Sequence, residues 1–301
     1  MSGGLLRRDK LPLHDRRLRP LLSESVSATG RLPRPATLRG SRDRGLAGYA
    51  RESMSGDGSD DPAGKVLRHT PQGTGWRPPA QAPEGWVEAI EEHIAEHVAP
   101  AETVFHELVS DLVHLDVHMV PAGGDRDFHL LFTTGVSSLP MSVPEGVEST
   151  PYVELAVLLP ASWPLTQQAW SDERWYWPVR ALKALGRLPH EYQTWLGSLH
   201  TIPNGDPAAP YASNTSLSGM LLLPWVSLPP EASQVPVPGG HTVDILTLIP
   251  IHTDEMEFKL RHGGQALFRK LADAELNDVL DPARPSAVTP PPPRKRRFGI
   301  F

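Results

Sequence analysis

Leu115-Asp-Val-His-Met-Val-Pro-Ala-Gly-Gly-Asp-Arg-Asp-Phe-His-Leu-Leu-Phe132 is the stretch that decides the fold class. Apolar residues recur at every second position, first at Leu115, Val117 and Met119 and again at Phe128, Leu130 and Phe132, with Gly123-Gly124 between. A period of two puts alternate side chains on one face of an extended strand, and a glycine pair between two such runs tolerates the backbone angles of a tight turn. The stretch reads as an antiparallel hairpin. Outward from it, Tyr152–Leu159 is a third apolar run ended by Pro160, long enough for a strand buried along most of its length. Ser218–Leu223 and Val243–Ile251 supply two more strands.

Between these runs the period changes to that of a helix. Trp86, Ile90, Ile94, His97 and Val98 recur at spacings of three and four, Pro100 stops the pattern, and Val104–Leu112 reads as its continuation. Asp172–Gln193 carries the stripe Trp175, Val179, Leu182, Leu185, Leu188, with Pro178 in the first turns, where a missing N–H costs little. A last helix begins near Thr253 and turns Met256, Leu260, Leu267 and Leu271 inward; Met256 stands where a capping-box glutamate would be expected, and Gly263-Gly264 marks a kink or break. Helix, strands, helix, strands and helix in this order define an α+β, sandwich-like domain: a central mixed, mostly antiparallel sheet packed with helices.

Absence of cysteine excludes disulfides, thiolate nucleophiles and Cys-ligated metals. No apolar run reaches the length of a membrane span, and Arg, Asp and Pro break up the first thirty residues, so neither membrane insertion nor a signal peptide is expected and the reading is cytoplasmic. The net charge of −6 conceals opposite regions: Met1–Ser53 carries about +7 and the end from Arg294 about +4, leaving about −17 for Met54–Pro293. Such a body repels phosphate backbones and attracts basic partners, which argues against nucleic-acid binding by the folded part. Residues 1–85 read as disordered, residues 86–285 as the folded domain and residues 286–301 as a solvated, proline-rich basic tail. At Met54 the composition switches abruptly from basic to acidic; translation starting there is one reading, with residues 1–53 an upstream artefact, and a basic nucleic-acid-binding arm is the other.

Several polar groups invite a chemical reading. His114, Asp116 and His118 alternate on one strand and share a face, as metal ligands would; with Leu115, Val117 and Met119 opposite, they equally suit a solvated face or one packed under a helix. His190, Glu191, His200 and Asp206 would supply a His/carboxylate cluster, and His190, His200 and Asp206 with His118 define the alternative function, a metal-dependent hydrolase. Asn204-Gly205-Asp206-Pro207 is also strong turn chemistry, which explains these residues without catalysis. There is no G-x-S-x-G elbow, P-loop or dinucleotide fingerprint, and no cofactor is expected. Trp163, Trp170, Trp175, Trp177 and Trp195 read as core rings or as anchors for a partner.

An ordered series of segments carries a resemblance. It runs through Thr133-Thr-Gly135, Pro140-Met141 and Val143-Pro144; Tyr152-x-Glu154-Leu155 with Leu159-Pro160 and Trp163-Pro164; Trp177-Pro178; Leu188-Pro-His-Glu-Tyr192 with Trp195-Leu-Gly197; His200-Thr-Ile-Pro-Asn-Gly-Asp-Pro207; and Pro250-Ile-His with Glu255-Met256-x-Phe258-Lys259. Together these resemble the bacterial branch of the Suppressor of fused domain family, over about two-thirds of the chain. The resemblance implies a non-enzymatic binding scaffold. Animal members hold transcription factors by adding a peptide strand between this domain and a second one, and bacterial relatives look like immunity proteins that neutralise toxins. The resemblance thus implies a protein partner, a toxin, and the negative charge of Met54–Pro293 points to a basic one. Tyr152, Glu154, Trp177, His200, Asn204 and Asp206 are the residues expected to contact it.

Overall fold

The computed structural model describes residues 26–28, 79–106 and 112–289. The late start at Met54, the tail from residue 290 and the reading of residues 1–78 as disordered, apart from 26–28, fall outside the described residues.

The hairpin forms as expected. Strand β3 (Asp116–Val120) pairs antiparallel with β4 (Phe128–Thr134), His118 facing Phe132, and Gly124 takes a φ of 61° in the turn between them. Around it lie β1 (Val26–Ala28), helix α1 (Trp86–His97), β2 (Thr103–Phe105), β5 (Val153–Pro160), the short α2 (Gln167–Trp170) and the long α3 (Glu173–Tyr192). Then come β6 (Thr201–Pro203), β7 (Gly219–Leu223), β8 (Gln234–Val237), β9 (His241–Ile251), α4 (Thr253–His262) and α5 (Gly264–Asp273). One sheet runs β1-β2-β3-β4-β5-β9-β7-β6, with β8 on β9. Among the named strands only β5 and β9 pair in parallel, so the sheet is mixed and mostly antiparallel.

The hairpin's two apolar sets turn out to point to opposite faces. Antiparallel register puts Val117 across from Thr133 and His118 across from Phe132. Leu115, Val117, Leu131, Leu155, Val157, Leu222 and Leu248 therefore share one face and pack against α3 through Trp177, Leu182 and Leu185. Phe128, Leu130, Phe132, Leu158 and Ile245 lie on the other, under Trp86, Ile90 and Ile94 of α1. Farther along that second face, Leu221, Leu223, Ile249 and Ile251 meet Met256, Leu267, Phe268 and Leu271 of α4 and α5. Helices cover both faces, and this explains the nearly unbroken apolar run of β5.

Three local readings are corrected. Val104 and Phe105 do not continue the helix: Thr103–Phe105 is β2, a β-branched and aromatic triplet that gains cross-strand contacts with β3, and residues 107–111 lie outside the described residues. The last helix does have a capping box, one residue earlier than expected. His252 is the N-cap, its N–H donates to Glu255 Oε2 at 2.8 Å, and Glu255 is the third helical residue. Strands β6 and β8 went unanticipated because each is short and carries a proline, Pro203 or Pro236, which suits only a sheet margin.

The domain's contacts also begin before Trp86 and continue past Pro285. Ala80 donates its N–H to Leu112 O at 2.9 Å, and Ala287 donates to Glu255 Oε1 at 2.8 Å. Gly263, with φ 83°, separates α4 from α5 at the expected break.

Candidate functional site

Glu154 is completely buried where β5 begins. Its carboxylate accepts from Thr133 Oγ1 at 2.6 Å, Gly135 N–H at 2.9 Å, Ser137 N–H at 3.0 Å, Ser137 Oγ at 2.7 Å and Val136 N–H at 3.3 Å. The turn after β4 thus wraps its amides around one anion, as a helix N-terminus does. Gly135 is needed there: its φ is 106°, and a Cβ built on it would lie 1.9 Å from the carbonyl oxygen of His114. Burial pushes the Glu154 pKa up, against the pull of the hydrogen bonds from Thr133, Ser137 and Gly135. The Thr133-Thr-Gly135 and Glu154 motifs are therefore two halves of one internal clamp. Glu154 holds the fold together and presents nothing to a partner, contrary to the sequence reading.

Trp177 is corrected in the same way. It is fully buried at the start of α3, stacked on Tyr211 with ring centres 5.0 Å apart and edge-on to Trp163. Trp163 and Trp170 are buried too, and Trp175 and Trp195 pack against the same core, so the cluster is a core device. His190, near the end of α3, donates from Nε2 to Val136 O at 2.8 Å and so braces the Glu154 clamp from outside. Burial lowers its pKa below the ordinary 6.5. The unfolded chain accordingly binds a proton that the folded one resists, and stability present above about pH 6.5 declines as the pH falls below it. Thermal melts at pH 7.5 and pH 5.5 should show this loss, with a smaller one in His190→Gln.

The remaining predicted contact residues reach the surface at two separate places. Tyr152 is half-buried, edge-on to Trp86 at 4.8 Å and to the exposed His241 at 5.3 Å. His200 is half-buried against the edge of Trp195, Asn204 donates from Nδ2 to Ala209 O at 2.8 Å, and Asp206 is exposed in the turn that follows β6. Tyr152 O accepts from Asp244 N–H near the start of β9, whereas Asn204 is bonded to Ser218 and Ser218 to Ile251 at its far end. Seven residues of strand, at about 3.3 Å each, put roughly 23 Å between the two places. They do not make one compact patch.

Nor do the residues of the hydrolase reading converge. Among the described residues the one group of three able to share a metal ion is His106, His114 and Asp116; His118, His190, His200 and Asp206 are not in it. His118 is buried under α1, its Nε2 2.9 Å from Thr134 Oγ1 and its Nδ1 3.1 Å from the Glu91 carboxylate. His106 is not legible as a site residue in the chain alone, since its partnership with Asp116 exists only through strand register.

On α1, Trp86, Ile90 and Ile94 face the sheet, and Glu88, Glu92 and Glu96 form an exposed outward row at spacings of four. Three stacked carboxylates on a helix that begins at the Tyr152 ring create a negative strip next to an accessible aromatic edge.

A mixed sheet covered by helices on both faces defines a domain of the α+β class. The Suppressor of fused protein family profile matches residues 111–285, and the chain belongs to that family. Comparison with the curated proteins finds no match. Among solved structures, a Suppressor of fused homologue from Neisseria gonorrhoeae FA 1090 is 15% identical, with a TM-score of 0.51 over 68% of this chain and 97% of that one, which supports the fold. The chain is also similar to one in a Sufu–Fu complex (17% identity, TM-score 0.44, covering 68% and 93%) and to Drosophila Suppressor of Fused (18%, 0.40, covering 62% and 43%). No described helix is long and apolar enough to cross a membrane.

Proposed function

We propose that this domain acts by binding another protein, without catalysis, and that its partner is a basic protein, a toxin that it neutralises. The observation that carries this reading is the exposed row Glu88, Glu92, Glu96 on α1. Family membership supports a binding role, and the charge of about −17 over Met54–Pro293 supports a basic partner. Negative charge spread over a folded body steers a cationic partner during encounter and sets on-rate more than final affinity. Tyr152 and His241 would supply the ring contacts at the start of α1, and Asn204–Asp206 a second, separate contact.

The test uses the product of the neighbouring gene. Binding should weaken with salt, and Glu88→Lys/Glu92→Lys/Glu96→Lys should slow association by about tenfold or more at low ionic strength. Tyr152→Ala should instead speed dissociation, and Asp206→Arg reports on the second contact. If no neighbouring product binds, the immunity reading fails; if one binds with salt-independent kinetics that the triple variant leaves unchanged, the α1 row is not the docking strip.

A further inference from the structure

We propose that His106, His114 and Asp116 form a binding site for one divalent transition-metal ion of the zinc type. Strand register assembles it. Thr103 faces Met119, Val104 faces His118 and Phe105 faces Val117, so one step farther His106 comes opposite Asp116. His114 precedes Asp116 by two residues, the spacing that keeps side chains on one side of extended chain.

The donor atoms are already near coordination spacing. His106 Nδ1 is 3.0 Å from Asp116 Oδ2, His114 Nε2 is 3.2 Å from Asp116 Oδ1, and one donor atom from each residue falls within 4.8 Å of the others. Around a tetrahedral zinc ion with bonds of about 2.0–2.2 Å, neighbouring ligand atoms stand roughly 3.3 Å apart. Small side-chain rotations therefore suffice. Two imidazoles and a carboxylate match the borderline preference of Zn²⁺ and suit Mg²⁺ or Ca²⁺ poorly. Both histidine side chains are 38% exposed and Asp116 is 18% exposed, so an ion can reach them from solvent; the fourth ligand would be water or a donor from a bound partner.

The surroundings hold the ligands in place. The His114 carbonyl packs against Gly135, the residue whose N–H is fixed by the buried Glu154, so one ligand is attached to a turn held by a buried carboxylate. His118, next along the same face, is engaged by Thr134 and Glu91 and stays out of the set. Bound metal would tie the end of β2 to the segment entering β3 and stiffen that margin of the sheet.

The experiment is a Zn²⁺ titration of the full, tag-free, chelator-stripped chain, followed by calorimetry and equilibrium dialysis at pH 7.5. One ion per chain should bind and raise the melting temperature. His114→Ala and the double variant His106→Ala/His114→Ala should each lower affinity at least about tenfold. Asp116→Asn, which keeps the shape, should lower it as well, with circular dichroism unchanged. His190→Ala and His200→Ala serve as controls among the 13 histidines and should leave affinity unchanged. Absence of stoichiometric binding, or stoichiometric binding that survives in the double variant, would overturn the proposal. Neither result depends on whether a protein partner is found.

Discussion

Glu154→Ala is expected to destabilise the domain by about 3–5 kcal/mol, enough to remove much of the stability of an ordinary domain. The loss comes from what stays behind. Gly135, Val136 and Ser137 would keep three buried N–H groups, and Thr133 and Ser137 two hydroxyls, all now aimed at a void. Each unsatisfied buried donor costs about 1–3 kcal/mol, partly relieved where water enters. Glu154→Gln should fall between the variant and the parent, because an amide offers one acceptor oxygen but points a donor at donors. Urea unfolding monitored by tryptophan fluorescence measures both. A loss below about 1 kcal/mol for Glu154→Ala would mean that the turn finds other acceptors and that the clamp is not what secures it.

Arg284→Ala should be nearly as damaging, about 3–5 kcal/mol. Arg284 donates to Glu255 through both terminal nitrogens, at 2.8 and 2.6 Å, and also to Pro250 O at 2.8 Å. Glu255 is fully buried and accepts from His252 and Ala287 N–H as well. Deleting the guanidinium leaves a buried carboxylate without its counter-charge and releases the segment that Arg284 ties to β9 and α4. Arg284→Lys should recover only part of the loss, since one ammonium cannot make the paired bonds and reach Pro250 O together. Glu255→Gln/Arg284→Met should be less destabilised than the sum of its single changes, the sign of direct coupling. Hydrogen exchange across Leu280–Thr289 locates the effect. If that segment stays protected in Arg284→Ala, the pair is not its anchor.

Much of the fold is legible in local pattern. Periods of two and of three to four identify α1, the hairpin, β5, α3, β7, β9 and the α4–α5 pair close to their observed bounds, because a buried face forces apolar spacing to follow backbone geometry. The misses share a cause. Thr103–Phe105, Thr201–Pro203 and Gln234–Val237 are three or four residues long, too short to display a period, and become strands only when neighbours complete their hydrogen bonds. His252 likewise looked unlike a cap because the box depends on a backbone turn, with Glu255 supplying the reciprocal bond.

The site was far less readable. The motifs Thr133-Thr-Gly135, Glu154, Trp177 and Pro-His190 stand out in the sequence, and the structure uses them inside the domain, as a buried anion clamp, a stacked core ring and an external brace. A distinctive residue in a chain advertises constraint without saying whether the constraint is internal or at a surface. Burial decides that, and burial is a property of the packed whole.

By itself, then, the sequence determined the α+β class, the family, the net negative charge between Met54 and Pro293 and the absence of thiol chemistry, since these follow from local periodicity, ordered motifs and counting. Only the tertiary structure decided that Glu154 and Trp177 are internal, that Tyr152 and Asp206 lie at opposite ends of β9, and that His106 meets Asp116. Those are relations between residues far apart along the chain or on different strands, set by register and by which faces the helices cover, and no local pattern encodes them.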